Sequence, residues 1–251
     1  MSVPIEPKPH ATPVFAPQLH NQTMQALSVF LMQVDMLDEH LGTAAPDTEP
    51  LRHCADAMAD ALIDGLGTAC DPAEPVPLRD HQYAHPVRVA ELSAILARLA
   101  GGGRGQMRNT ILAALLMNAG YTRIRPTAIE HPGPLSEGDQ ALLRQHPQTS
   151  ADIAVAVGLP SECVDAIAQH HERWDGSGYP EGLRGKRINV YARIIGVADT
   201  YVALCSPRFH RPQRPRVVVD EFFLAESGTL FDPVIVRLLV EELPKRYERP
   251  D

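Results

Sequence analysis

The stretch His170-His171-Glu172-Arg173-Trp174-Asp175-Gly176-Ser177-Gly178-Tyr179-Pro180 decides how the rest of the chain is read. Two adjacent histidines close a helical run, and a glycine-rich turn ending in Tyr-Pro follows at once. Neighbouring side chains on a helix diverge by about 100°, so His170 and His171 converge only on something lying between their two directions. Neutral imidazole is the commonest metal ligand, and two nearby metal ions would meet that condition. A lone His-His pair would carry no such meaning; its neighbours supply it.

Continued to Gly185, the segment reads HHERWDGSGYPEGLRG. It resembles the signature of the HD-GYP family, HHExxDGxGYPxGLxG, at every fixed position between residues 170 and 185. Members of that family are bacterial metal-dependent phosphodiesterases that hydrolyse cyclic di-GMP. The resemblance runs from about residue 79 to about residue 243. It implies an all-α fold: an HD-domain-like helical bundle, here with a short N-terminal helical extension.

A chain of 251 residues is long enough for one substantial core, or for a core domain with a small helical addition. Its net charge of −8 leaves no general basic surface for DNA. The cysteines Cys54, Cys70, Cys163 and Cys205 are far apart and form no CxxC pair, which favours free thiols in a reducing compartment. No apolar run reaches the roughly 18 residues that cross a membrane. The first residues also lack the basic start and apolar core of a signal peptide. The expectation is a cytoplasmic protein without membrane or DNA partners.

Residues 1–20 hold five prolines and read as a disordered, Pro-rich tail. Residues 21–70 read as a helical hairpin. Its first helix starts at an N-cap on Asn21 or Thr23 and carries Leu27, Phe30, Leu31, Val34, Leu37 and Leu41. The second starts near Asp47 or Thr48, with Pro50 in its first turn and a stripe of Leu51, Cys54, Met58 and Leu62. Two such helices are marginal alone; the hairpin either packs on its own core domain or serves as a homodimerisation arm. Residues 71–78, with Pro72, Pro75 and Pro77, form the linker, and 79–247 the HD-GYP-like domain. Within it, residues 106–119 are apolar almost all round and predict a buried central helix. Ser136 and Asp139 make a capping box ahead of His146, and Tyr191–Leu204 predicts another strongly apolar helix. No strand is predicted.

The resemblance implies a metal ligand set contributed by several helices, which falls here on His85, His146, His170, His171 and Asp199. Pro86 is a departure at the first of these, because proline fits a first helical turn but not an interior. The family's central His-Asp doublet is missing. Aligning Ala113-Ala114-Leu115-Leu116 with the family pattern puts Met117 at the histidine, Asn118 at the aspartate and Tyr121 at a lysine. Asn118 is neutral and cannot bridge two ions as a carboxylate does. Met117 offers only a soft thioether, and the lost lysine removes a charge suited to phosphate. Val202 also stands where a second late aspartate is usual. The remaining ligands suit one divalent ion (iron, manganese or zinc), or are histidines held by hydrogen bonds with no metal at all.

On the ligand side, the resemblance implies contacts from Asp175, Gly178 and Tyr179 in the turn and from Arg208 and Arg211, whose guanidinium groups suit phosphate. The Tyr179 ring, read as exposed, suits a guanine face or a partner surface. A plain solvated basic stretch is the other reading of Arg208–Arg216. Two functions remain open. One is a degenerate domain that binds cyclic di-GMP, or a partner such as a diguanylate cyclase. The other is an active phosphodiesterase with an atypical, one-metal site.

Overall fold

Helical periodicity in the sequence is answered by helices throughout the residues that the computed structural model describes: 17–39, 45–64, 81–124, 136–207 and 212–246. Among these no strand forms, and a single bridge joins Ser227 to Phe231. The centre is α3 (His81–Leu99) packed along α4 (Arg104–Leu116). In α4 every residue from Thr110 to Leu116 is buried, as its all-round apolarity predicts. A 3₁₀ turn, Ala119–Arg123, follows. Next come α5 (Glu137–Leu143), α6 (His146–Ala156) and α7 (Ser161–Gln169). The long apolar α8 (Val190–Cys205) then lies against α3, α4 and α7. Finally α9 (Arg216–Ala225) and α10 (Pro233–Arg237) close the bundle; the chain runs on through a π turn at Leu238–Glu242 into Leu243–Arg246.

The local start signals work as the chemistry demands. The Ser136 hydroxyl accepts the Asp139 N–H, Asn189 caps α8 by accepting from Tyr191, and Asp232 caps α10 by accepting from Val234.

The first two helices, α1 (Pro17–Glu39) and α2 (Glu49–Ile63), pack on this bundle and not away from it. Leu27, Phe30, Leu31 and Val34 from α1 share one continuous core with Leu51, Ala55 and Met58 from α2 and with α3 and α4. Each such burial contributes about 1.5–3 kcal/mol, so the α1 quartet alone stabilises the contact by roughly 6–12 kcal/mol, an upper bound for a compact denatured chain. That exceeds what a marginal isolated hairpin could supply. Polar ties add direction. His20 on α1 meets the buried Glu91 of α3 at 2.8 Å, and Arg104 and Arg108 of α4 both reach Asp56 of α2 at 3.0 Å.

Four expectations are corrected. The tail does not extend to residue 20: α1 begins at Pro17. A proline costs nothing in the first turn, where its missing N–H has no acceptor in any case. Thr23 lies inside this helix, its hydroxyl donating back to the Leu19 carbonyl, and so it is no N-cap. Pro86, a residue suited to a first turn, instead lies inside α3, which begins at His81. Only the Gln82 carbonyl forgoes its usual N–H partner there. On α2 the buried stripe is Leu51, Ala55, Met58 and Ala59, leaving Cys54 half-buried. The side chains of Leu37 and Leu41, the linker 71–78, and Arg208 and Arg211 lie outside the described residues.

Candidate metal centre

Four helix ends or faces bring the expected ligands to one place. His146 opens α6 and His170 caps α7, both almost fully buried. His171 follows, and α8 carries Asp199 across to His85 of α3. Two glycines make the close approach possible. A Cβ on Gly196 would stand 2.9 Å from the His170 carbonyl oxygen, and one on Gly120 would stand 2.7 Å from that of His146. Neither position tolerates a side chain without moving backbone.

The ligand atoms of His146, His170 and His171 all lie within 4.8 Å of one another. Hydrogen bonds fix the tautomers of the first two. Nδ1 of His146 donates to the Leu143 carbonyl and Nδ1 of His170 to the Ile167 carbonyl, each at 2.6 Å. A carbonyl only accepts, so each neutral ring carries its hydrogen on Nδ1 and keeps a lone pair on Nε2. These two Nε2 atoms face each other at 3.3 Å. Two acceptors have nothing to share at that distance. Two nitrogens bound to one ion at about 2.0–2.1 Å in a tetrahedron lie about 3.3 Å apart, so the pair fits a single divalent ion.

Electrostatics keeps these donors neutral. Burial, reinforced by the charge His170 would carry, pushes His146 down to about 3. His170 is lowered by burial, and His171 well lowered by burial and by its histidine neighbours. Asp199 goes the other way. Burial would raise its carboxyl, but the hydrogen bond from His85 and the surrounding imidazoles outweigh it and hold the group ionised. His85 Nε2 lies 2.7 Å from Asp199 Oδ1, which ties up one oxygen of that carboxylate.

The three residues expected to depart from the family pattern lie in different surroundings. Met117 is fully buried within the hydrophobic core. Asn118 is half-buried and spends its backbone carbonyl on the Tyr121 N–H. The Tyr121 ring centroid lies 4.3 Å from that of His146, an uncharged aromatic beside the cluster.

Beside the histidines, the 170–185 loop is held by a residue to which sequence reasoning assigned no role. The buried Glu172 carboxylate accepts the N–H of Glu181 at 2.7 Å and that of Leu183 at 2.9 Å, one bond to each oxygen. A carboxylate inside the HHE run, directly ahead of a glycine-rich turn, was the available signal. The loop is also pinned to the far end of the chain: Trp174 N–H bonds the Leu230 carbonyl and Asp175 N–H that of Thr229. Arg193 of α8 stacks over Trp174 and pairs with Asp232.

Gly178 packs so closely that a Cβ would meet the Arg173 nitrogen at 2.3 Å. The Asp175 carboxylate is spent on the turn, accepting from the Ser177 N–H. The peptide between Tyr179 and Pro180 is cis. Tyr179 is half-buried, correcting the expectation of an exposed ring. It stacks on His171 with centroids 4.9 Å apart, Arg144 lies over it, and burial pushes its phenol up to about 12.

The all-helical bundle has counterparts among known proteins. Residues 76–235 match the HD domain family model. The chain belongs to the HD domain family. Among curated HD relatives, the cyclic di-GMP phosphodiesterase response regulator RpfG of Xanthomonas campestris is 32% identical over 61% of this chain and 41% of its own length. A cyclic di-GMP phosphodiesterase of Pseudomonas aeruginosa is 33% identical over 64% of this chain and 39% of its own. The 3'3'-cGAMP-specific phosphodiesterase 2 of Vibrio cholerae is 31% identical over 63% and 31%. This HD chain thus spans less than half the length of each. An HDG"Y"P protein of Bdellovibrio bacteriovorus shares the fold, with a TM-score of 0.64 at 18% identity over 90% of this chain and 70% of that one.

Proposed function

We propose that this chain is a degenerate HD-GYP domain of cyclic di-GMP signalling. It binds the nucleotide, or a partner such as a diguanylate cyclase, through the 170–185 loop, and hydrolyses little or nothing. The observation that carries this reading is the missing bridge. Where a histidine and a metal-bridging aspartate belong, the chain has a core-buried methionine and a neutral asparagine. The carboxylate beside the histidines, Asp199, already holds His85. A two-ion hydrolase needs a carboxylate shared between its ions to hold them as a clamp on the reacting oxygens. The named activities of the relatives support a cyclic dinucleotide as the ligand class.

The 3.3 Å approach of the His146 and His170 Nε2 atoms favours a second reading, a one-ion phosphodiesterase. His146, His170 and His171 would hold the ion. When bound, it would supply Lewis acidity and lower the pKa of a water. The Tyr121 ring packs on His146 and the Tyr179 ring on His171, and Asp199 holds a negative charge beside them.

Cyclic di-GMP turnover by the purified protein with Mn²⁺ or Fe²⁺ under anaerobic conditions separates the two, with His170→Ala as control. No turnover above the control is the expected result. Turnover that disappears in the control would overturn the degenerate reading.

A further inference from the structure

The side of α1 that faces away from the bundle carries a second, bare seam. Its exposed residues Gln18, Gln22, Gln25, Val29, Met32 and Met36 succeed one another at intervals of four, three, four, three and four. That period of about 3.5 residues is the one that lets two helices pack along their whole length. The opposite side, with Leu27, Phe30 and Val34, is taken up by the chain's own core. Val29, Met32 and Met36 are 43%, 58% and 53% exposed. Single exposed apolar side chains are ordinary; three in register on an uncharged face call for a cover. From Pro17 to Val34 the helix has no Asp, Glu, Lys or Arg, in a chain that is 22% charged. A helix face built for water ordinarily carries such groups.

Charge and spacing together select the cover. The acids of α1, Asp35, Asp38 and Glu39, all fall in its last two turns. A second α1 running the opposite way brings its N-terminal end, the positive end of the helix dipole, against those acids; a parallel one would set like charges side by side. Antiparallel pairing also matches the stripe to itself. With a twofold axis at Leu27, Gln18 falls opposite the partner's Met36, Gln22 opposite the partner's Met32, and Gln25 opposite the partner's Val29. Ala26 and Ser28 flank that axis and are small enough for close approach. The Ser28 hydroxyl already donates to the Gln25 carbonyl, so covering it strands no donor. Glutamines in such a seam weaken it and fix its register.

We propose that the outward face of α1 docks a second copy of this chain, paired antiparallel about a twofold axis at Leu27. The interface stands apart from the metal centre and from the chemistry assigned to it.

The test weighs the full chain by sedimentation equilibrium over a range of concentrations, beside the double variant Val29→Glu, Met32→Glu. Both residues are exposed, so the fold stays intact, which circular dichroism checks. Wild type should be a dimer, and the variant should associate at least about tenfold more weakly, because its seam must bury unpaired carboxylates. Orientation is read with a short bis-maleimide on single added cysteines, after Cys54→Ser and Cys70→Ser; Cys163 and Cys205 are buried. Ser28→Cys should link two chains. Met36→Cys should not, because antiparallel pairing puts the two copies of that position roughly 27 Å apart along the seam. A monomeric wild type, a dimer that the double variant leaves intact, failure of Ser28→Cys to link, or linking through Met36→Cys overturns the proposal.

Discussion

Replacing Glu172 with glutamine keeps the size of the side chain and removes one of its two acceptors. In the native loop each carboxylate oxygen receives one backbone N–H, from Glu181 at 2.7 Å and from Leu183 at 2.9 Å. A glutamine can satisfy one of them; its NH₂ then faces the other donor. The loss is one charge-assisted hydrogen bond, about 1.5–3 kcal/mol, together with part of the cost of a stranded buried N–H, about 1–3 kcal/mol. We take about 3 kcal/mol as the expected destabilisation, which lowers the melting temperature of a chain this size by roughly 6–12 °C. The loop reports on itself, because Trp174 is the only tryptophan. Urea unfolding followed by tryptophan fluorescence should shift to lower urea, ahead of the helical signal followed by circular dichroism. If both curves overlay wild type within about 0.5 kcal/mol, Glu172 does not organise the loop.

Other perturbations test neighbouring claims. Gly178→Ala forces a methyl against the Arg173 nitrogen and the Glu172 Cα, at 2.3 and 2.5 Å, so the loop must shift. Destabilisation of at least about 2 kcal/mol is expected, and wild-type stability by urea titration would contradict the packing. Lowering pH should destabilise the metal-free protein from about 6.5, where histidines in the unfolded chain begin to protonate. The folded-state values of His146, His170 and His171 are depressed, that of His146 to about 3. The unfolded state therefore binds more protons across that window, and stability present above it is lost as pH falls. The slope is about 1.4 kcal/mol per pH unit for each fully titrating histidine; His146→Gln should flatten it, and a flat wild-type profile between pH 7 and 5 would refute the burial argument. Restoring Met117→His, Asn118→Asp and Tyr121→Lys together should raise bound metal, measured by elemental analysis. A folded but metal-free triple variant would mean the lost doublet lies elsewhere.

Periodicity and caps made most of the bundle legible. The all-apolar run at 106–119, the Ser136 cap and the α8 pattern each depend on local chemistry, and local chemistry is what a sequence displays. The helix start at Pro17 was misread because proline was taken as a barrier, when in a first turn it is only a missing donor. The convergence of His146, His170 and His171 was legible through the resemblance and not through spacing. Twenty-four residues separate the first two, and only the packing of α6 on α7 closes that gap. The role of Glu172, the half-burial of Tyr179 and the placing of Arg144 over its ring were not legible. Each depends on where a distant element passes, and no periodicity encodes that.

The single core shared by α1, α2, α3 and α4 limits how such a chain can be rearranged. Helices that bury Leu27, Phe30 and Leu31 against their neighbours cannot be exchanged like a detachable cassette; excising them would strip an apolar flank from the bundle. His20 on α1 grips Glu91, less than two turns along α3 from His85. A graft or fusion that respects this architecture would join ahead of residue 17 and leave the hairpin in place. A melting experiment on the intact protein should accordingly show hairpin and bundle giving way as one cooperative unit.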